Sequence, residues 1–292
     1  MSKKKVAYEN PLVPNARLRQ MYRAILRAHL LGQALPPSQR ALTAGRETVL
    51  VNTVLDLTAR DYVLDAFASP VVDFIGGMSL TRALRPHAHF AGGMLAGPEY
   101  PCRIPALESD AVAHALGIAF HLKIAGTPEK KKARKTATDF AVAVAYTMPN
   151  HTSANEWKAA LTFAAQNDLP VIFVLLPLAA RSKASRSKAS SAKEPKLRAI
   201  AHRAGVPAIP VDAADPVALY RVAQESIGHA RIGGGPALIE CVAFPAARSR
   251  KPAAIAHIEE YIFSRGIATR AWMDREAASF TAQLIRSKSA SK

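Results

Sequence analysis

Cysteine is nearly absent: only Cys102 and Cys241 occur in 292 residues. That excludes a disulfide framework and any metal knuckle built from several thiolates. Long hydrophobic runs are missing too. The longest, residues 169–180, is too short to span a bilayer and is broken by Pro170 and Pro177. No apolar stretch follows Lys3, Lys4 and Lys5, so the start does not read as an export signal, and the chain is expected in the cytoplasm. Acidic residues are scarce against basic ones, 22 Asp and Glu facing 39 Lys and Arg, for a formal charge of +17. This favours an anionic contact without naming one. Aromatics make up 7% and do not interleave with the basic runs, so stacking on single-stranded nucleic acid is not indicated.

What is present is a globular pattern, 49% hydrophobic and 21% charged, long enough for a large core. Leu18, Tyr22, Ile25, Leu26 and His29 recur at helical spacing after Asn15, whose side chain suits a helix N-cap. A second apolar face follows in Val49, Leu50, Val54 and Leu57. Residues 86–105, rich in Gly and Pro, read as loop, and a helix is expected over 109–124.

The alternation beyond residue 140 defines the class. An apolar run at 140–146, an amphipathic segment at 153–166 and a second apolar run at 171–176 make a βαβ unit. Ser153 followed three residues later by Glu156 predicts a capping box. A further round follows, with strand 206–211, helix 216–231 and strand 237–244, the last entered through Gly233, Gly234, Gly235 and Pro236. Helices over 254–265 and 272–284 close the chain. The expected fold is α/β, a mainly parallel sheet with helices on both faces, as one domain over 1–286. Residues 127–138 and 181–193, dense in Lys, Arg and Ser, are expected to form mobile basic loops, and 287–292 a disordered tail.

With those elements placed, "VAVAYTMPNHTSANEWKAALTFAAQNDLPVIFVLLPL" from Val142 resembles the cofactor-binding βαβ of the alpha subunit of thiamine-diphosphate-dependent 2-oxo acid dehydrogenases of the pyruvate dehydrogenase type. The likeness continues in order along the chain. "LRQMYRAILRAHLLGQAL" from Leu18 is similar to the family's opening helix, "GRETVLVN" from Gly45 to its "GQEA" box, and "HALGIAFHLKIAG" from His114 to its small-residue helix. "GGGPALIECV" from Gly233 resembles its "GGPtLIE", and "IEEYIFSRGIATRAW" from Ile258 its closing segment. The resemblance implies a thiamine-diphosphate-binding fold, and a beta-type subunit or a second copy of the chain as partner.

It also implies a site, and there the sequence departs. The family holds the magnesium diphosphate with an Asp from a Gly-Asp-Gly turn and an Asn from an Asn-Asn pair, hard oxygen donors suited to that ion. Aligned on Thr152 and Ser153, the first positions hold Met148, Pro149 and Asn150, and the second Pro177 and Leu178. The Tyr-Arg pair that grips the diphosphate corresponds to Phe67 and Ala68, and the "GHS" of the catalytic loop to Ala247, Arg248 and Ser249. No catalytic residue and no metal ligand is therefore assigned, and neither thiamine diphosphate nor Mg2+ is expected to bind. The expected role is a non-catalytic or regulatory relative. The alternatives are an active decarboxylating subunit, with thiamine diphosphate and Mg2+ held with help from a beta subunit, and a basic module for nucleic acid or another polyanion, signalled by steep salt dependence.

Other constellations carry less. His151 at the turn tip reads as an exposed loop histidine, and His87, His89 and Cys102 lack a fourth ligand at recognisable spacing. Gly233, Gly234 and Gly235 precede a strand, unlike a dinucleotide fingerprint, and neither Ser153 nor Ser249 lies in a Gly-x-Ser-x-Gly elbow.

Overall fold

The computed structural model describes residues 10–37, 39–40, 44–65, 70–85, 95–97, 100–105, 110–126, 139–148, 151–177, 195–243 and 253–291. In chain order the described elements are helices α1 (Asn15–Ala34) and α2 (Glu47–Asn52), strand β1 (Tyr62–Asp65), helices α3 (Pro70–Ile75) and α4 (Leu80–Ala83), and strands β2 (Leu95–Gly97) and β3 (Tyr100–Pro105). There follow α5 (Ala111–Gly126), β4 (Ala143–Thr147), α6 (Ala154–Gln166), β5 (Val171–Leu175), α7 (Pro195–Arg203), β6 (Ala208–Asp212), α8 (Pro216–Arg231), β7 (Ala237–Val242), α9 (Ala253–Ser264) and α10 (Arg270–Ser291).

The strands form one sheet in the order β2-β3-β1-β4-β5-β7-β6. All neighbours pair in parallel except β2 with β3. The fold is thus the α/β class with a mainly parallel sheet and helices on both faces. Strands of such a sheet must be apolar on both sides, and β4 and β5 are buried at every position. Val142, Val144, Tyr146, Ile172 and Val174 point to one face with Val49 and Leu50 of α2 and Leu219, Ala223 and Ile227 of α8. Ala143, Ala145, Val171, Phe173 and Leu175 point to the other with Ala115 and Ala119 of α5 and Trp157, Ala160, Leu161 and Ala164 of α6. A third, helical cluster joins Leu18, Met21, Tyr22 and Ile25 of α1 to Ile258 and Ile262 of α9 and Met273, Phe280 and Leu284 of α10.

Local chemistry explains several boundaries. The Ser153 side chain accepts from the Glu156 amide at 3.3 Å, and Glu156 accepts from the Ser153 amide at 2.7 Å, the expected capping box. That amide and the Ser153 side chain hold the Glu156 carboxyl below its ordinary range. A depressed folded-state value means that this stabilisation is present above the unfolded glutamate range and is lost as pH falls through the folded one. Ser153→Ala is expected to lower the melting temperature by about 2–4 °C at neutral pH. The difference should shrink in acid, which thermal scans at pH 7 and pH 3 would check. In α8, Asp215 accepts from the Val217 and Ala218 amides and Pro216 occupies the first turn.

Some expectations are corrected. The N-cap residue of α1 is Pro14, which has no side chain to cap with, and Asn15 is the first helical residue, its side-chain oxygen accepting from the Asn10 amide at 3.4 Å. Asn10 instead closes the preceding turn, accepting from the Leu12 and Val13 amides. Residues 86–105, read as loop, contain β2 and β3; β3 tolerates Pro101 and Pro105 beside a neighbour that pairs briefly and with a register shift between Leu95 and Gly97. Strand β6 spans Ala208–Asp212, later than expected, and α10 continues to Ser291, into the segment whose composition predicted a disordered tail. Residues 127–138 and 181–193 lie outside the described residues.

Candidate functional site

In an open parallel sheet, ligands bind beyond the carboxyl ends of the strands, where the winding reverses. Here the chain runs from β1 outward to β3 and from β4 outward to β5, so the reversal lies between β1 and β4. Asp65 ends β1 opposite Tyr146, and Thr147 ends β4 opposite Leu175 of β5. The amino end of α6 returns to the same edge.

Two of the positions singled out in the sequence meet there. Beyond β4 comes Met148, and beyond β5 come Leu176 and Pro177. The Leu176 amide donates to the Thr147 carbonyl at 2.8 Å, binding the two strand ends together. Met148 is half-buried and packs on the cluster that contains Tyr146, Val174 and Leu176. Pro177 is buried. Phe67, Ala68, Pro149, Asn150 and Leu178 lie outside the described residues, as do His87, His89, Ala247, Arg248 and Ser249.

Among the described residues, the side chains that follow β4 and β5 do not supply the oxygen donors a magnesium diphosphate calls for. Met148 offers a thioether, a soft and weak acceptor, and Pro177 offers no side-chain oxygen and no amide proton. Thr152, buried beside the start of α6, holds one hydroxyl without a hydrogen-bond partner, and one neutral oxygen does not replace a carboxylate and an amide. Among the described residues no group of three His, Cys, Asp or Glu side chains is placed to hold a metal ion. His151 is half-buried at the turn.

Three buried groups at or near this edge escaped the sequence reading. Asp65 is 1% exposed at the end of β1. Its only local sign is an acidic residue closing a short apolar run. Tyr146 is fully buried, its hydroxyl 2.6 Å from that of Thr53 and donating to the Leu50 carbonyl at 3.3 Å. Burial, with the Asp65 charge adding to it, pushes the Tyr146 phenol well above its usual range. Cys241 on β7 is pushed up as well, first by burial and then by Glu240. Both groups therefore stay protonated at neutral pH and supply neither a phenolate nor a thiolate nucleophile.

A profile of the dehydrogenase E1 component family matches residues 21–248. The chain belongs to that family. It is similar to the pyruvate dehydrogenase E1 component subunit alpha of Staphylococcus aureus, 30% identical over 209 residues that make up 70% of this chain and 52% of the relative. Its counterpart in Staphylococcus epidermidis is 28% identical over 209 residues, again 70% of this chain and 52% of the relative. The chain spans about half the length of these curated relatives. Among the described residues no helix is long and apolar enough to cross a membrane.

Proposed function

We propose that this chain is a non-catalytic or regulatory member of the dehydrogenase E1 family, one that keeps the alpha-subunit scaffold and acts by association instead of turnover. The observation that carries this reading is the pair of strand ends at β4 and β5. Where the chemistry of a magnesium diphosphate calls for oxygen donors, Met148 packs into the apolar sheet face and Pro177 is buried. Relatives named as alpha subunits of pyruvate dehydrogenase support association with another chain, and the +17 charge leaves room for an acidic one.

The test is calorimetric titration of the full chain with thiamine diphosphate, with and without Mg2+. The expected result is no saturable heat in either arm, and no 2-oxo acid decarboxylation when the chain is co-expressed with a beta-type subunit. Tight, Mg2+-dependent binding would overturn the proposal, as would turnover by the purified pair.

A further inference from the structure

Among the described residues the sheet ends in two edge strands, β2 and β6. An open edge offers unpaired N–H and C=O groups to any strand that comes alongside, a liability that proteins limit with short or irregular edge strands, lysine or proline. Strand β2 is three residues long and pairs with a register shift between Leu95 and Gly97. Strand β6 has neither safeguard. It pairs with β7 from Ala208 to Asp212 without a break in register, and it contains no lysine.

The hydrogen bonds to β7 fix which groups of β6 face outward. The Leu238 amide donates to the Pro207 carbonyl at 2.9 Å, and the Ala213 amide donates to the Val242 carbonyl at 2.9 Å. In a parallel ladder the N–H and C=O of one residue point to the same side, and that side alternates along the strand. Pro207, Ile209, Val211 and Ala213 therefore face β7 with their backbone groups, and Ala208, Pro210 and Asp212 face away from it. The Asp212 carbonyl already accepts from the Asp215 amide at 3.1 Å, and its Oδ1 from the Ala214 amide at 2.8 Å. Pro210 is exposed and stands in the middle of the outward set. At this parity a proline costs the sheet no ladder bond, and it removes the central donor from the open edge.

We infer that Pro210 closes the β6 edge to strand addition, and that the strand it keeps out is β6 of a second copy of this chain. A two-fold axis at residue 210 would set the two edges antiparallel, with each Ala208 opposite the other copy's Asp212 and the two residues 210 opposite each other. Outward-facing residues paired in this way exchange both of their N–H to C=O bonds. Proline at the centre abolishes both bonds of the central pair at once. Charge would not do this work, since Asp212 is the only ionisable residue of the strand. The inference goes beyond the functional proposal and does not depend on it.

Sedimentation velocity of the full chain and of Pro210→Val and Pro210→Lys, over a concentration series, tests it. Valine restores the central N–H in a residue that favours strands, whereas lysine restores the same N–H and places a charge on the edge. The valine variant is expected to form species heavier than those of the wild type, increasing with concentration, with unchanged far-UV circular dichroism. The lysine variant is expected to sediment as the wild type does. Equal sedimentation of all three overturns the inference. So does equal assembly of both variants, which would trace the effect to loss of the rigid ring. If the valine variant does not fold, hydrogen exchange on the wild type decides. The outward amides of Ala208 and Asp212 are expected to exchange about tenfold or more faster than the ladder-bonded amides of Ile209 and Val211. Equal protection of the two sets would mean that the edge is already covered, and would overturn the inference.

Discussion

Replacing Arg231 by alanine is expected to cost about 3–5 kcal/mol of folding stability, because it strands the fully buried carboxylate of Asp61 without its counter-charge. Arg231 closes α8 and reaches Asp61 with two parallel bonds, 2.9 Å to Oδ1 and 2.6 Å to Oδ2. Asp61, 0% exposed, also accepts from the Val142 amide at 2.9 Å and from the Thr58 amide and hydroxyl at 2.7 and 2.9 Å. The Arg231 carbonyl accepts from the Phe140 amide at 2.8 Å. One carboxylate thus joins α8, the turn before β1 and the segment entering β4, at the amino ends of the strands.

Asp61→Leu should be worse than Arg231→Leu, since it leaves the buried Val142 amide unsatisfied and the guanidinium without its counter-charge, holding only the Phe140 carbonyl at 3.3 Å, while losing the arginine keeps three donors on Asp61. Against a total stability of about 5–15 kcal/mol, either loss is large. Urea unfolding followed by circular dichroism would show the order. Equal, small shifts in midpoint for the two variants would contradict this account of the clamp.

That clamp was invisible in the sequence, where Asp61 and Arg231 stand 170 positions apart with nothing local to pair them. What was legible was periodicity and capping. The two apolar runs flanking residues 153–166 could be buried on both faces only as interior parallel strands, and Ser153 and Glu156 marked the start of α6. Helix α8 was readable over Pro216–Arg231, the bounds that the structure gives it.

Strand β1 was missed because Tyr62–Asp65 is four residues long and becomes a strand only by pairing with β3 and β4. Strand β3 was hidden by its prolines, which local propensity counts against a strand and which a short, irregular neighbour forgives. At the candidate site the sequence showed which donor types were absent. It could not show that the Met148 side chain packs on the sheet face, or that Asp65 and Tyr146 lie buried beside each other, because both depend on pairing between distant strands.

The packing behind those strand ends leads to the second large effect. Trp157 on α6 is 2% exposed and meets Phe173 of β5 edge-on, with ring centres 5.5 Å apart and planes at 85°. It stands one turn into the helix that connects β4 to β5, so it fixes α6 against the sheet at the end where the strands terminate. Trp157→Ala removes a side chain that the surrounding sheet and helices cannot move in to replace, and the expected loss is about 3–5 kcal/mol. Trp157→Phe should cost much less than its loss of volume implies. The indole Nε1 is buried without a hydrogen-bond partner, and the phenyl ring removes that unsatisfied donor while keeping an aromatic edge for Phe173. Guanidinium unfolding of the wild type and both variants separates the terms. A Phe variant as unstable as the Ala variant would mean that indole volume alone sets the stability of this layer. A Phe variant close to wild type would mean that the stranded N–H offsets part of the packing that Trp157 contributes.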